Sequence, residues 1–253
     1  MDVLEKLSRF YESWKGEKGY IGCTENGVLI PFFAVKKSAE PVILAQYAIH
    51  AREYITTFLA IMQAEEFAAF GKRGTVYFLP AVNIDGIAEV LGGDKTYKAN
   101  ANMVDLNVNF DARWGEGAKN IHEKASENYI GAYPFSESET AALRDFTLMV
   151  QPDLTLSYHS KGEEIYWEFF QDERAWERDF RIANAVSAVT GYPLKSAGKS
   201  AGGYKDWCVE KLKIPALTIE VGSDNLSHPI GEEFAEENFL KNRDVIKVLT
   251  EIL

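Results

Sequence analysis

The sequence predicts an α/β sandwich, with helices on both faces of a mixed sheet. Short β-branched and aromatic runs alternate with longer segments of helical periodicity, the pattern of strands layered with helices. The first two apolar runs lie nearly end to end, too close for a crossover helix, so part of the sheet is antiparallel. No repeat, low-complexity tract or flexible linker divides the 253 residues, and 1–253 is read as one domain.

The elements follow in order. Leu4, Leu7, Phe10, Tyr11 and Trp14 recur at helical spacing and give a first amphipathic helix. Gly27 to Val35 is a strand, and Pro31 within it suggests a sheet edge. Pro41 to Ile49 reads as a buried strand. Tyr54 to Phe70 is helical, with Gly71 as its stop, so the first third reads β, β, α after the opening helix. Thr75 to Leu79 is a strand running into Pro80 and an Asn83-Ile84-Asp85-Gly86 turn. Gly92 to Tyr133 is rich in Gly, Asn and Asp and reads as long functional loops. Ser136 to Glu139 makes an acidic helix start, and Pro152 ends that helix before a strand at Leu154 to Tyr158. Helices at 172–190 and 232–253 flank a last strand at Pro215 to Val221.

Composition excludes several functions. With 27 Lys+Arg against 38 Asp+Glu, the net charge of -11 repels nucleic acid and anionic lipid, so neither is an expected partner. No run of about 18 apolar residues offers a membrane span. Cys23 and Cys208 lie far apart with no C-x-x-C pair, which argues against a disulfide or thiolate-zinc scaffold and suits a reducing compartment. The charged opening segment lacks the apolar stretch of a secretory signal, and the expected location is the cytoplasm.

Four ionisable residues stand at or just past the carboxyl ends of apolar strands, where α/β sheets form their sites: His50, Glu53, His159 and Glu220. An unpaired buried carboxylate there costs several kcal/mol, so something must compensate it. His50 and Glu53 can face one ion from a first helical turn. His159 completes a two-histidine, one-carboxylate set that leaves one zinc position open, as catalytic zinc requires. Glu220 is then the candidate general base. Taken singly, each is as well read as a satisfied core histidine or a solvated acid; the joint placement makes the metal site. His122 and His228 have surface or turn roles, and Cys208, beside Trp207, is a buried structural thiol.

These residues sit in an ordered series: His50-Ala51-Arg52-Glu53-Tyr54-Ile55, Pro80-Ala81-Val82-Asn83-Ile84-Asp85-Gly86, Val104-Asp105-Leu106-Asn107, Pro134-Phe135-Ser136-Glu137, Tyr158-His159-Ser160 and Thr218-Ile219-Glu220. The series resembles the zinc carboxypeptidase family. The resemblance implies a three-layer α/β/α sandwich around a mixed, mostly parallel sheet of about eight strands. It also implies one zinc ion on His50, Glu53 and His159, and water attack promoted by Glu220.

Departures from the family pattern shape the substrate. Lys98 stands where an arginine usually polarises the scissile carbonyl, a single-point cation in place of a fork. Val108, next to Asn107, replaces the arginine that grips a C-terminal carboxylate, and Gly198 lies near the position of a capping tyrosine. Lys205 falls at the specificity position and, with Arg52 and Lys98, implies a basic cleft for an acidic partner, the alternative being that Lys205 pairs internally with Asp206 or another acid; Asn107 and Tyr204 complete the substrate-binding set. The stretches 158–167 and 203–207 make the chain similar to the bacterial γ-D-glutamyl-L-diamino acid endopeptidases. The expected function is zinc-dependent hydrolysis of the γ-D-glutamyl to diamino acid bond of a muropeptide. The alternatives are a carboxypeptidase releasing acidic C-terminal residues, an aspartoacylase-like amidohydrolase, or a catalytically silent peptide-binding protein.

Overall fold

The computed structural model describes residues 1–196 and 198–253. One eight-stranded sheet runs β1 (Glu17–Cys23), β2 (Leu29–Lys36), β4 (Thr75–Leu79), β3 (Val42–Tyr47), β5 (Leu154–Ser160), β8 (Ala216–Val221), β6 (Glu164–Tyr166) and β7 (Leu194–Lys195) from edge to edge. Strands β4, β3, β5 and β8 form a parallel centre, while β1, β2 and β6 each have an antiparallel neighbour. Alternate residues of these strands face opposite cores. Ile43, Ala45 and Tyr47 of β3, with Leu154, Leu156 and Tyr158 of β5, pack under α1 (Val3–Ser13), α2 (Ile55–Phe70), α5 (Glu173–Thr190) and α8 (Val245–Ile252). Leu44 faces the other way, toward α4 (Ser138–Val150) and the Tyr204–Trp207 helix. The three-layer mixed architecture expected from the sequence is therefore present.

Several elements differ from expectation. Strand β1 is additional to the expected elements, since Glu17, Lys18 and two glycines break its apolar pattern, and it covers β2 as the edge strand. Pro31 therefore does not mark an edge. It sits beyond the part of β2 that pairs with β4, which begins at Phe33, so its missing N–H costs no rung of that ladder. The short strands β6 and β7 were too brief to leave a period. Asn83 to Gly86 is not a turn but the entry to α3 (Ile84–Leu91), where the Asn83 side chain accepts from Gly86 N at 3.0 Å. The helix expected over 232–253 is broken into a 3-10 turn, α7 (Ala235–Asn242) and α8. The Asn242 carbonyl accepts from Gln63 Nε2 at 3.0 Å, which draws it out of the helical ladder at the break.

The chain order fixes where a site can form. From β3 the path goes through α2 to β4 on one side, then returns to β5 on the other side of β3. The crevice at the carboxyl ends of β3 and β5 is the point where the strand order reverses. The loop region 92–133 lies without strands or α-helices, with only a 3-10 turn at Leu106–Val108.

Candidate metal centre and substrate cavity

His50 and Glu53 come from the 3-10 turn that leaves β3, and the chain there is pinned on both sides. Ala51 N donates to Lys98 O at 3.1 Å, and Asn83 Nδ2 donates to Ile49 O at 3.2 Å and Ala99 O at 2.8 Å. Gly86 makes room for this clamp, since a Cβ on it would lie 2.4 Å from Ala99 O. His159 and Glu220 are register partners on parallel β5 and β8, so both side chains leave the sheet on the same face.

The expected donor atoms converge. His50 Nδ1 lies 2.9 Å from Glu53 Oε1, His159 Nδ1 lies 3.0 Å from Glu53 Oε2, and the two Nδ1 atoms are 3.0 Å apart. All three side chains are buried. A tetrahedral zinc ion with bonds of ~2.0–2.1 Å has ligand–ligand edges of roughly 3.3 Å. The triangle has that size, its donors are two imidazoles and a carboxylate, and both rings offer the same nitrogen. The residues fit zinc. Burial opposes the charge of Glu53, but His50 and His159 hold its carboxyl well below the ordinary carboxylate range.

Glu220 is partly buried at the floor of a cavity of about 420 Å³, beside His50, Lys98, Asn107 and Val108. Burial pushes its pKa up to about 8; Glu53 and Glu164 add to the rise, while His159 and Lys98 oppose it. A carboxyl raised in this way is suited to exchanging a proton near neutral pH.

The profile of the zinc carboxypeptidase family matches residues 17–241. The chain belongs to the zinc carboxypeptidase family. Among curated proteins, γ-D-glutamyl-L-diamino acid endopeptidase 1 of Lysinibacillus sphaericus is 30% identical over 92% of this chain and 66% of its own length. Carboxypeptidase B of Astacus astacus is 28% identical over 80% of this chain and 82% of its own. The chain thus spans just under two thirds of the endopeptidase. Of solved structures, bovine thrombin-activatable fibrinolysis inhibitor superposes with a TM-score of 0.85 at 21% identity, covering 98% of this chain and 93% of the other. Murein-tripeptide amidase MpaA from Escherichia coli O157 does so with a TM-score of 0.69 at 21% identity, covering 94% and 95%. At these identities the two structures establish the fold.

In this chain the expected basic cleft is largely neutralised. Lys98 Nζ pairs with Asp105 Oδ2 at 2.8 Å, and Lys205 Nζ pairs with Asp206 Oδ1 at 2.6 Å while donating to Glu168 O at 2.9 Å. Both still line the cavity. Arg52 does not; it donates to Thr96 O and pairs with Glu127 at 3.1 Å. Charges leaving water need partners, and these three found them inside the protein.

Tyr204 is a second correction. Its ring is fully buried against Phe110 and Trp207 and its hydroxyl lies 2.9 Å from Thr147 Oγ1, so it belongs to the core below the cavity. Asn107 does line the cavity, and its Oδ1 accepts from Tyr204 N at 3.1 Å. Cys208 is fully buried, with its thiol pushed up to about 12 by desolvation.

Two contributions went unread in the sequence. Asp105 is completely buried; burial opposes its charge, but Lys98 and His50 hold it well below the usual range. Lys119 and Lys199 line the cavity from exposed loops. Those loops are joined by main-chain hydrogen bonds, Ala118 N to Lys199 O at 3.0 Å, Phe110 N to Gly202 O at 2.9 Å and Gly202 N to Ala112 O at 2.8 Å. Gly202 has φ +88, and a Cβ there would lie 2.8 Å from Val108 O, so the close approach requires glycine.

Proposed function

We propose that this chain is a one-zinc peptidase that hydrolyses the γ-D-glutamyl to diamino acid bond of muropeptides. The observation that carries the reading is the convergence of His50 Nδ1, Glu53 and His159 Nδ1, with His50 lining a cavity that also holds Glu220. Zinc bound by those three residues supplies a Lewis acid for the amide carbonyl and lowers the pKa of water. Glu220 takes the proton of the attacking water and returns it to the leaving amine. Lys98, fixed by Asp105, directs its charge at the carbonyl oxygen as negative charge develops there. Asn107, with its Oδ1 engaged by Tyr204 N, offers its amide group to the substrate.

The choice of bond is supported by the named activity of the Lysinibacillus relative and by Val108, which lines the cavity without any means to grip a C-terminal carboxylate. The free thiols Cys23 and Cys208 suit action on soluble fragments in the cytoplasm. No described helix is long and apolar enough to cross a membrane.

The test is to incubate the zinc-loaded protein with L-Ala-γ-D-Glu-diaminopimelate and with an α-linked peptide ending in Glu, reading products by mass spectrometry against a chelated control. Free diaminopimelate is the expected product. Cleavage of the α-linked peptide alone returns the protein to carboxypeptidases for acidic ends, and no chelator-sensitive cleavage of either favours the amidohydrolase or binding-protein reading.

A further inference from the structure

The cavity presents four lysines, Lys98, Lys119, Lys199 and Lys205, but their charges are not equally available. Lys98 and Lys205 spend theirs on Asp105 and Asp206 at 2.8 and 2.6 Å. Among the described residues neither Lys119 nor Lys199 has a carboxylate within ion-pair distance. Both are exposed, and the Ala118 N to Lys199 O bond sets their loops side by side on one rim. Neutral donors neighbour them: Asn120, Asn128 and Ser200 line the same cavity. Among the described residues, the only carboxylates lining that cavity are Asp206, already paired with Lys205, and Glu220.

We infer that Lys119 and Lys199 form the carboxylate-recognition element of this site, holding a substrate carboxylate at the cavity mouth, away from the bond that is cut. An unpaired cation pair surrounded by amide and hydroxyl groups favours an anionic, hydrogen-bond-accepting group, and a carboxylate meets both demands. The charge sits on two flexible stems and not on a planar fork, so position is read loosely and charge strictly. This places anion selection on the loops, separate from Lys205 on the cavity floor. The inference rests on the cavity being the substrate site and holds for a γ-linked or an α-linked peptide.

The experiment compares the zinc-loaded protein with Lys119→Met, Lys199→Met and the double variant, and Lys124→Met serves as a control on the same loop outside the cavity. Each takes L-Ala-γ-D-Glu-diaminopimelate, the analogues in which one carboxylate at a time is amidated, and an α-linked N-acyl dipeptide in acid and amide form. KM and kcat are read separately, and binding of each peptide to Glu220→Gln protein is measured by calorimetry, so affinity is seen whether or not a bond is cut. The expected result is KM and Kd raised about tenfold by the double variant for one free carboxylate, with kcat little changed. Amidating that carboxylate should cost the parent protein the same factor and make it blind to the lysine substitutions. Added salt should weaken binding to the parent more than to the double variant. Equal effects on acid and amide forms, or no dependence on either lysine in any peptide, including failure of all peptides to bind, would overturn it. Lysine dependence confined to the α-linked dipeptide, with the γ-linked peptides neither bound nor cut, overturns the muropeptide reading and leaves the lysine pair intact.

Discussion

Asp105 Oδ1 lies 3.2 Å from His50 Nε2, on the far side of the ring from the Nδ1 that faces Glu53 and His159. The other oxygen of the same carboxylate holds Lys98. One buried acid therefore orients a metal-ligand ring and a cavity cation together.

Asp105→Asn is expected to weaken zinc affinity by roughly 10–100-fold, the usual cost of losing such an outer partner. Because Lys98 also loses its counter-charge, kcat should fall further than metal occupancy explains. Competition with a chromophoric chelator, followed by kinetics at saturating zinc, separates the two effects.

Removing a ligand and removing the base should look different. His159→Ala is expected to abolish stoichiometric zinc in a metal assay, whereas Glu220→Gln should keep the ion and lose roughly 10²–10⁴-fold in kcat. Full turnover by Glu220→Gln would refute the base assignment.

Tyr204→Phe tests the placement of that ring in the core. Its hydroxyl meets Thr147, whose own Oγ1 donates to Leu143 O at 2.7 Å, so the tyrosine is the donor to Thr147. Losing that bond should lower stability by about 1 kcal/mol in urea unfolding and leave KM where it was. A raised KM with unchanged stability would return Tyr204 to the substrate.

A pH effect should come from Glu139, at the start of α4. Burial lifts its pKa to about 7, aided by Glu25 and opposed by Asn100 and main-chain donors. A raised carboxyl is protonated in the folded state and ionised in the unfolded chain between about pH 4.5 and 7, so folding stability falls as pH climbs through that window. Glu139→Gln removes the titration, and its stability relative to the parent should improve by about 3 kcal/mol from pH 4.5 to pH 8. A difference that is flat with pH would show that Glu139 titrates normally.

What the sequence disclosed was whatever repeats with a period or stands at a strand end. Strands β3, β4, β5 and β8 are apolar runs because both faces are covered, and the four chemical residues are visible as ionisable breaks at their ends. The two-residue β7 and the Glu-Lys-Gly opening of β1 leave no period to read. Partnering is readable only between sequence neighbours, as in the Lys205–Asp206 alternative. Lys205 and Asp206 are neighbours in sequence, yet Lys98 with Asp105 and Arg52 with Glu127 pair across loops, so an expected basic cleft became three ion pairs. Asp105 lies within the Val104-Asp105-Leu106-Asn107 series, and only the fold brings it to His50 Nε2.

The bonds from Ala118 to Lys199 and between Gly202 and its neighbours Phe110 and Ala112 also bear on how the rim moves. Segments stitched at three main-chain points cannot fray one at a time, and breaking any one bond exposes amides of the others to solvent. The amide protons of Phe110, Ala118 and Gly202 should therefore exchange with deuterium as a single cooperative unit, with one opening free energy below that of the sheet.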